Sequence, residues 1–195
     1  GLKKANSIWL WGQGKAPKME RYADKFGLTG AVISAVDLLK GIGVMAGLDP
    51  VEVEGATGYL DTNYQGKVDA ALTALDDHDF FYLHVEAPDE AGHERSLEKK
   101  VQAIEDFDAK VVGPVRAAME ARGEPFALLV CPDHATPVEL GTHTRDPIPF
   151  ICYRSDGNNT HHGAAYNEKS AEATGLFVPN AHQLMEQMLG KVSLW

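Results

Sequence analysis

The sequence predicts an α/β protein, a three-layer α/β/α sandwich on a mostly parallel sheet, as a single domain over residues 1–195. Three observations lead there. Short apolar runs rich in aromatic and β-branched residues alternate with segments of helical period, the pattern of strand–helix–strand units and a parallel sheet. Two of those runs, FFYLHV and ALLVC, are followed by polar groups: Asp89 and His93 after the first, Asp133 and His134 after the second. A third run, PFICY, comes just after His143. Ligands collect at the C-terminal edge of strands in open α/β sheets, so these five side chains mark a candidate site.

Taken in order, residues 7–11 (SIWLW) read as a buried strand, and a GQGKAP turn leads into a helix over residues 17–26 with Pro17 near its first turn. The Gly-x-Gly in that turn lacks the rest of a dinucleotide fingerprint and reads as a turn. GAVISAV is the next strand, and Asp37 can cap the helix DLLKGIGVMAG, whose glycines either weaken it or allow close packing. Lys40 in that helix is either a solvated surface lysine or the group that holds an anionic part of a substrate. After VEVEG and the turn-rich ATGYLDTNY, the run QGKVDAALTALDD has the period of an amphipathic helix. Residues 80–85 form the next buried strand. If the chain turns helical after Pro88, Asp89 and His93 are i,i+4 neighbours on one face and can grip one ion. A long helix over residues 96–122 sets Leu97, Val101, Ile104, Val111, Val115 and Met119 along one face, with Pro114 placed to kink or break it. Strands at 127–131 and 149–153, a loop RSDGNNTHHGAAY, and helices at 167–174 and 182–189 complete the pattern.

A chain of 195 residues with 44% hydrophobic content can bury one sizeable core without disulfides. Cys131 and Cys152 lie in apolar runs and read as reduced core thiols, which fits a cytoplasmic protein. A net charge of −10 argues against nucleic acid and anionic membranes as partners, because both call for a basic surface. No apolar run approaches the roughly 18 residues of a membrane span. The first residue is Gly, not Met, so an incomplete protein or a trimmed tag is the expectation.

Carboxylates mixed with imidazoles suit Mn²⁺ or Zn²⁺ better than Ca²⁺, which prefers all-oxygen shells. Two such ions side by side would polarise a phosphoryl oxygen and activate a hydroxyl. Of the other histidines, His78, His84 and His182 read as surface or packing residues, while His161 and His162 form either an extra ligand or a surface pair. Glu86 could orient a ligand or meet substrate.

The order DxxxH, PDHxTP, GxHTxDPIPF resembles the metal-binding signature of the alkaline phosphatase superfamily. More narrowly, GAVISAVDLLKGIG, GATGYLDTNYQGK, HVEAPDEAGH and CPDHATP resemble the archaeal-type cofactor-independent phosphoglycerate mutases, from about residue 6 to the C-terminus. The resemblance implies an alkaline-phosphatase-like core, incomplete here, and two divalent metal ions, Mn²⁺ or Zn²⁺. Asp89, His93 and His143 would hold one ion, and Asp133 and His134 the other. It also implies a small phosphorylated substrate, phosphoglycerate, moved between its 3- and 2-isomers through a phosphoserine, as in glycolysis and gluconeogenesis. Lys40 would lie near the phosphoryl oxygens with Arg145 assisting. The family's nucleophile serine and inserted substrate domain belong to an N-terminal segment, and none of Ser7, Ser34, Ser96, Ser155, Ser170 or Ser193 sits in the nucleophile's context. The expectation is therefore a C-terminal portion that is inactive alone. Two readings compete: a metal-dependent phosphatase or phosphonate hydrolase of the same superfamily, and a non-catalytic remnant that binds metal or a partner. A sheet lacking its first strands exposes an edge and invites dimerisation unless something covers it, which leaves the oligomeric state open.

Overall fold

A computed structural model describes residues 4, 6–10, 12–157, 159 and 165–190. His161 and His162 therefore lie outside the described residues, as does Ser193. The centre of the fold is β1 (Gly30–Ile33), buried along its whole length. It pairs in parallel with β2 (Asp49–Val51) on one side and β3 (Phe80–Leu83) on the other. Parallel neighbours need crossovers, and the helices α2 (Asp37–Met45) and α3 (Tyr64–Ala74) supply them. Because side chains alternate across a strand, Val32 packs toward Ala46 and Leu48 at the end of α2, whereas Ala31 and Ile33 pack on Ala71 of α3. The helices thus cover opposite faces, giving the expected α/β/α layers. Gly43 lets α2 lie close to the sheet, since a Cβ there would stand 2.6 Å from Val32 Cγ1.

Beyond β3 come α4 (Ala87–His93), α5 (Leu97–Phe107) and α6 (Gly113–Arg122), the last two joined by a π-helical turn at Asp108–Val112. The expected break at Pro114 is absorbed there: the wider turn carries the chain through a residue that has no N–H to donate. Val111 and Val115 are buried against Tyr64 and Val68 of α3 as the helical period requires. Leu97, Val101 and Ile104, expected on the same buried face, are instead 68%, 46% and 52% exposed. The π turn shifts the register of the face, and the α5 half packs against α4 with Ala103 and Asp106 buried instead.

Several local expectations are corrected. Residues 7–10 form no strand and are exposed, because an apolar run gains nothing from extension without a strand beside it; Trp11 lies outside the described residues. The helix expected over 17–26 is only α1 (Tyr22–Phe26), the portion whose rings find the sheet: Phe26 is buried and Tyr22 stacks on Phe80 at 5.0 Å. Asp37 is the first residue of α2 and pairs with Lys40 at 3.1 Å; its side chain caps nothing. Strand β3 is only half-buried, with Tyr82 43% exposed on the Val32 face, because α2 does not extend over this edge of the sheet.

The remaining strands, β4 (Ala127–Val130) and β5 (Ile151–Arg154), pair antiparallel with each other, and their segment 131–150 is a proline-punctuated loop that could not serve as a crossover helix. Cys131 and Cys152 are free, as expected, but they are not core thiols: Cys131 is exposed just past β4, and Cys152 is half-buried in β5. The chain closes with α7 (Glu168–Ala173), whose N-cap Asn167 accepts from Ser170 N at 2.9 Å, and α8 (Leu184–Met188) after a 3₁₀ turn. Among the described residues no helix is long and apolar enough to cross a membrane.

Candidate metal centre

The site forms where β3 and β4 end. Helix α4 starts directly after β3, with Pro88 in its first turn, where the missing N–H costs nothing. One face of α4, Ala87, Ala91 and Gly92, is buried, and Asp89 and His93 share another. His93 Nε2 lies 3.1 Å from Asp89 Oδ2, as their i,i+4 spacing anticipates. The loop after β4 brings Asp133 and His134, and an isolated antiparallel bridge between Ala135 and Thr144 lays the His143 segment beside it. His143 and His134 stack with ring centroids 3.7 Å apart. From there His143 Nε2 reaches His93 Nε2 at 3.0 Å and Asp89 Oδ1 at 3.4 Å.

Asp89, His93 and His143 each present a ligand-type atom, and these atoms all lie within 4.8 Å of one another. The hydrogen bonds around them set the imidazoles for coordination. The Gly141 carbonyl can only accept, so the 3.1 Å contact puts the proton of a neutral His93 on Nδ1 and its lone pair on Nε2, facing Asp89 and His143. Thr136, 4% exposed, donates its hydroxyl proton to Asp89 Oδ1 and so accepts from His134 Nδ1 at 3.2 Å. That leaves His134 Nε2 with its lone pair toward Asp133 Oδ2, at 3.4 Å. Converging acceptors of this kind repel unless a proton or a cation sits among them. One carboxylate and two imidazoles are also the donor set of a three-ligand site for a borderline divalent ion. The residues present therefore fit such an ion.

The structure brings Asp89, His93 and His143 together and sets Asp133 with His134 as an adjoining pair. Asp89 Oδ1 is 3.9 Å from His134 Nδ1, so the two groups abut. Lys40 is not with them: its ammonium is held by Glu52 at 3.0 Å and by Asp37 at 3.1 Å. Arg145 is exposed on the loop just after Thr144. Beside the cluster, Glu86 lies 3.2 Å from His84 Nε2, while Ser34 Oγ lies 3.2 Å from His84 Nδ1 and accepts from Val36 N at 3.0 Å. Read by donors, this is one relay: Ser34 donates to a neutral His84, which donates to Glu86. Burial holds His84 below its usual range, and burial followed by the charges of Asp89, Asp133 and Glu90 pushes the Glu86 carboxyl above its own. His84, expected as a surface or packing residue, is thus part of a polar network.

Sequence reasoning missed Lys67, Lys100 and Thr136. Lys67 of α3 is fully buried and donates to the His84 carbonyl at 3.2 Å; burial lowers its pKa and Glu86 opposes that. Lysines on amphipathic helices carry no local sign of being buried. Thr136 did carry one, in its place two residues after His134 within CPDHATP.

The chain is similar to known proteins over nearly its whole length. The chain is 59% identical over 191 residues to a probable 2,3-bisphosphoglycerate-independent phosphoglycerate mutase of Geobacter sulfurreducens, covering 98% of this chain and 48% of that protein. It is 56% identical over 185 residues to the 2,3-bisphosphoglycerate-independent phosphoglycerate mutase of Methanosarcina mazei, covering 95% and 47%. The chain spans about half the length of the curated relatives it matches. Among solved structures, a Pyrococcus horikoshii protein superposes with TM-score 0.75 at 26% identity, over 89% of this chain and 52% of that one. The cofactor-independent phosphoglycerate mutase of Thermoplasma acidophilum shares the fold, with TM-score 0.63 at 19% identity, over 91% and 40%. The family model of the metalloenzyme superfamily matches residues 4–191, and the chain belongs to that superfamily.

Proposed function

We propose that these residues are the metal-holding C-terminal portion of a 2,3-bisphosphoglycerate-independent phosphoglycerate mutase, which interconverts 3-phosphoglycerate and 2-phosphoglycerate through a phosphoserine. The observation that carries this reading is the convergence of Asp89, His93 and His143 in a chain so similar to proteins of that name. Asp89, His93 and His143 hold one divalent ion of the Mn²⁺ or Zn²⁺ class, and Asp133 and His134 contribute to a second. Bound there, the ions supply positive charge for the transferring phosphoryl group and lower the pKa of the attacking hydroxyl. The chain's own residues do the positioning. Gly141 fixes the His93 tautomer, and Thr136 ties Asp89 to His134. In this reading Arg145, exposed beside His143, is available to the substrate, whereas Lys40 is committed to Glu52 and Asp37 and does not serve it.

The phosphorylated serine belongs to the remaining half of the mutase. Ser34 does not replace it, because it is 5% exposed and turned toward His84. The 195 residues alone are therefore inactive, and the complete enzyme works in the cytoplasm on a small phosphorylated acid. The test is an assay of 3- to 2-phosphoglycerate interconversion with added Mn²⁺, on this chain and on a longer polypeptide that carries it. Interconversion by the longer polypeptide alone supports the proposal. Turnover by the 195-residue chain above a metal-only blank rejects its inactivity, and release of inorganic phosphate without isomerisation by the longer one assigns it to the phosphatases.

A further inference from the structure

The candidate ligands come from two segments, α4 and the 133–143 loop, and among the described residues no strand pairing joins them. Lys100, in the first turns of α5, spans the gap. Its Nζ donates to the Pro88 carbonyl at 2.7 Å and to the Thr136 carbonyl at 3.4 Å. Pro88 immediately precedes Asp89, and Thr136 is the residue whose hydroxyl meets both Asp89 and His134. The backbones are already pressed together at this point, since a Cβ on Gly92 would stand 2.4 Å from the Thr136 carbonyl oxygen. Burial lowers the pKa of the Lys100 ammonium, while Asp89 and Glu168 raise it. A lysine kept only for its apolar stem would turn its charge out to water; this one does not.

We propose that Lys100 is a positioning residue, a clamp that fixes α4 against the 133–143 loop so that the donors of both segments stand in ligand geometry before an ion arrives. Its consequence for metal affinity rests on the metal reading given above; the clamp itself does not. Removing a hydrogen bond that supports a metal site costs about tenfold to a hundredfold in affinity, and loss of this cation is expected to fall in that range.

The experiment uses the 195-residue chain with Lys100→Met, which keeps the stem and removes the donors, and Lys100→Arg, which keeps charge and donors. Amide hydrogen exchange of the metal-free proteins is followed by mass spectrometry, and Mn²⁺ binding by calorimetry. The expected result is faster exchange in both 86–93 and 133–143 in Lys100→Met, with wild-type rates in β1 and α3. Mn²⁺ affinity falls about tenfold or more, and Lys100→Arg restores most of both. Unchanged exchange in the two segments, or a uniform increase over the whole chain, overturns the clamp. A wild-type chain that binds no Mn²⁺ overturns the metal reading instead, and the exchange arm still decides the role of Lys100.

Discussion

The Nε2 atoms of His93 and His143 lie 3.0 Å apart although 50 positions separate the residues in sequence. His93 gives its Nδ1 proton to Gly141, so a ring lone pair of neutral His93 faces His143 beside the Asp89 carboxylate. A divalent cation in place of the proton shared there would be coordinated by all three groups. The chain is therefore expected to bind Mn²⁺ or Zn²⁺, and His93→Ala to lose more than the roughly tenfold to hundredfold that a missing supporting contact costs. Calorimetric titration of the metal-stripped proteins measures both, and equal affinity in wild type and variant would remove His93 from the site.

The same binding stabilises the folded chain. At a free ion concentration 100 times its dissociation constant, the gain is about 2.7 kcal/mol by mass action. A rise in melting temperature with added Mn²⁺ is expected in wild type and not in His93→Ala. A shift of the same size in both proteins would place the ion elsewhere.

Thr136 joins the two halves of the site through one hydroxyl. Thr136→Val keeps its shape but leaves Asp89 and His134 without that partner, at an expected cost of about 1–3 kcal/mol. Urea unfolding of the metal-free protein gives the stability change, and Mn²⁺ titration shows whether affinity falls with it. No change in either would mean the hydroxyl positions nothing.

Gly92 is fixed by space, with the Thr136 carbonyl oxygen 2.4 Å from where a Cβ would be. Because that neighbour is backbone, Gly92→Ala must push α4 away from the loop, and a loss of about 1–3 kcal/mol is expected together with weaker metal binding. Wild-type stability and affinity in this variant would show that the two segments can separate freely.

His84 sets a pH dependence. Burial holds it below its ordinary value of 6.5; Asp133 and Asp89 pull it up, and Lys67 and His134 push it down. Between 6.5 and the lowered folded value, the unfolded chain binds a proton that the folded chain refuses. Its contribution to stability is thus complete above 6.5 and is lost as the pH falls through that window. Urea midpoints measured across it should decline less steeply in His84→Gln than in wild type, and identical slopes would place the acid sensitivity on another group.

What the sequence determined by itself is what local spacing and alternation carry. The apolar run GAVISAV contains a strand, DxxxH at the start of a helix makes an i,i+4 pair, and Asp133-His134 follows a strand end. The α/β/α layering follows from the same alternation, because a strand apolar on both faces needs a helix on each. Tertiary structure alone decided the rest. Ile8, Trp9 and Leu10 are as apolar as the core, yet they stay exposed because a strand forms only beside another strand. Cys131 and Leu97 looked buried and are exposed, since burial depends on what lies opposite and not on the residue itself. Lys40 and Lys67 show the same division. Both lie on helices, but one finds two surface carboxylates while the other is enclosed under the His84 carbonyl, an outcome set by how α3 meets the sheet.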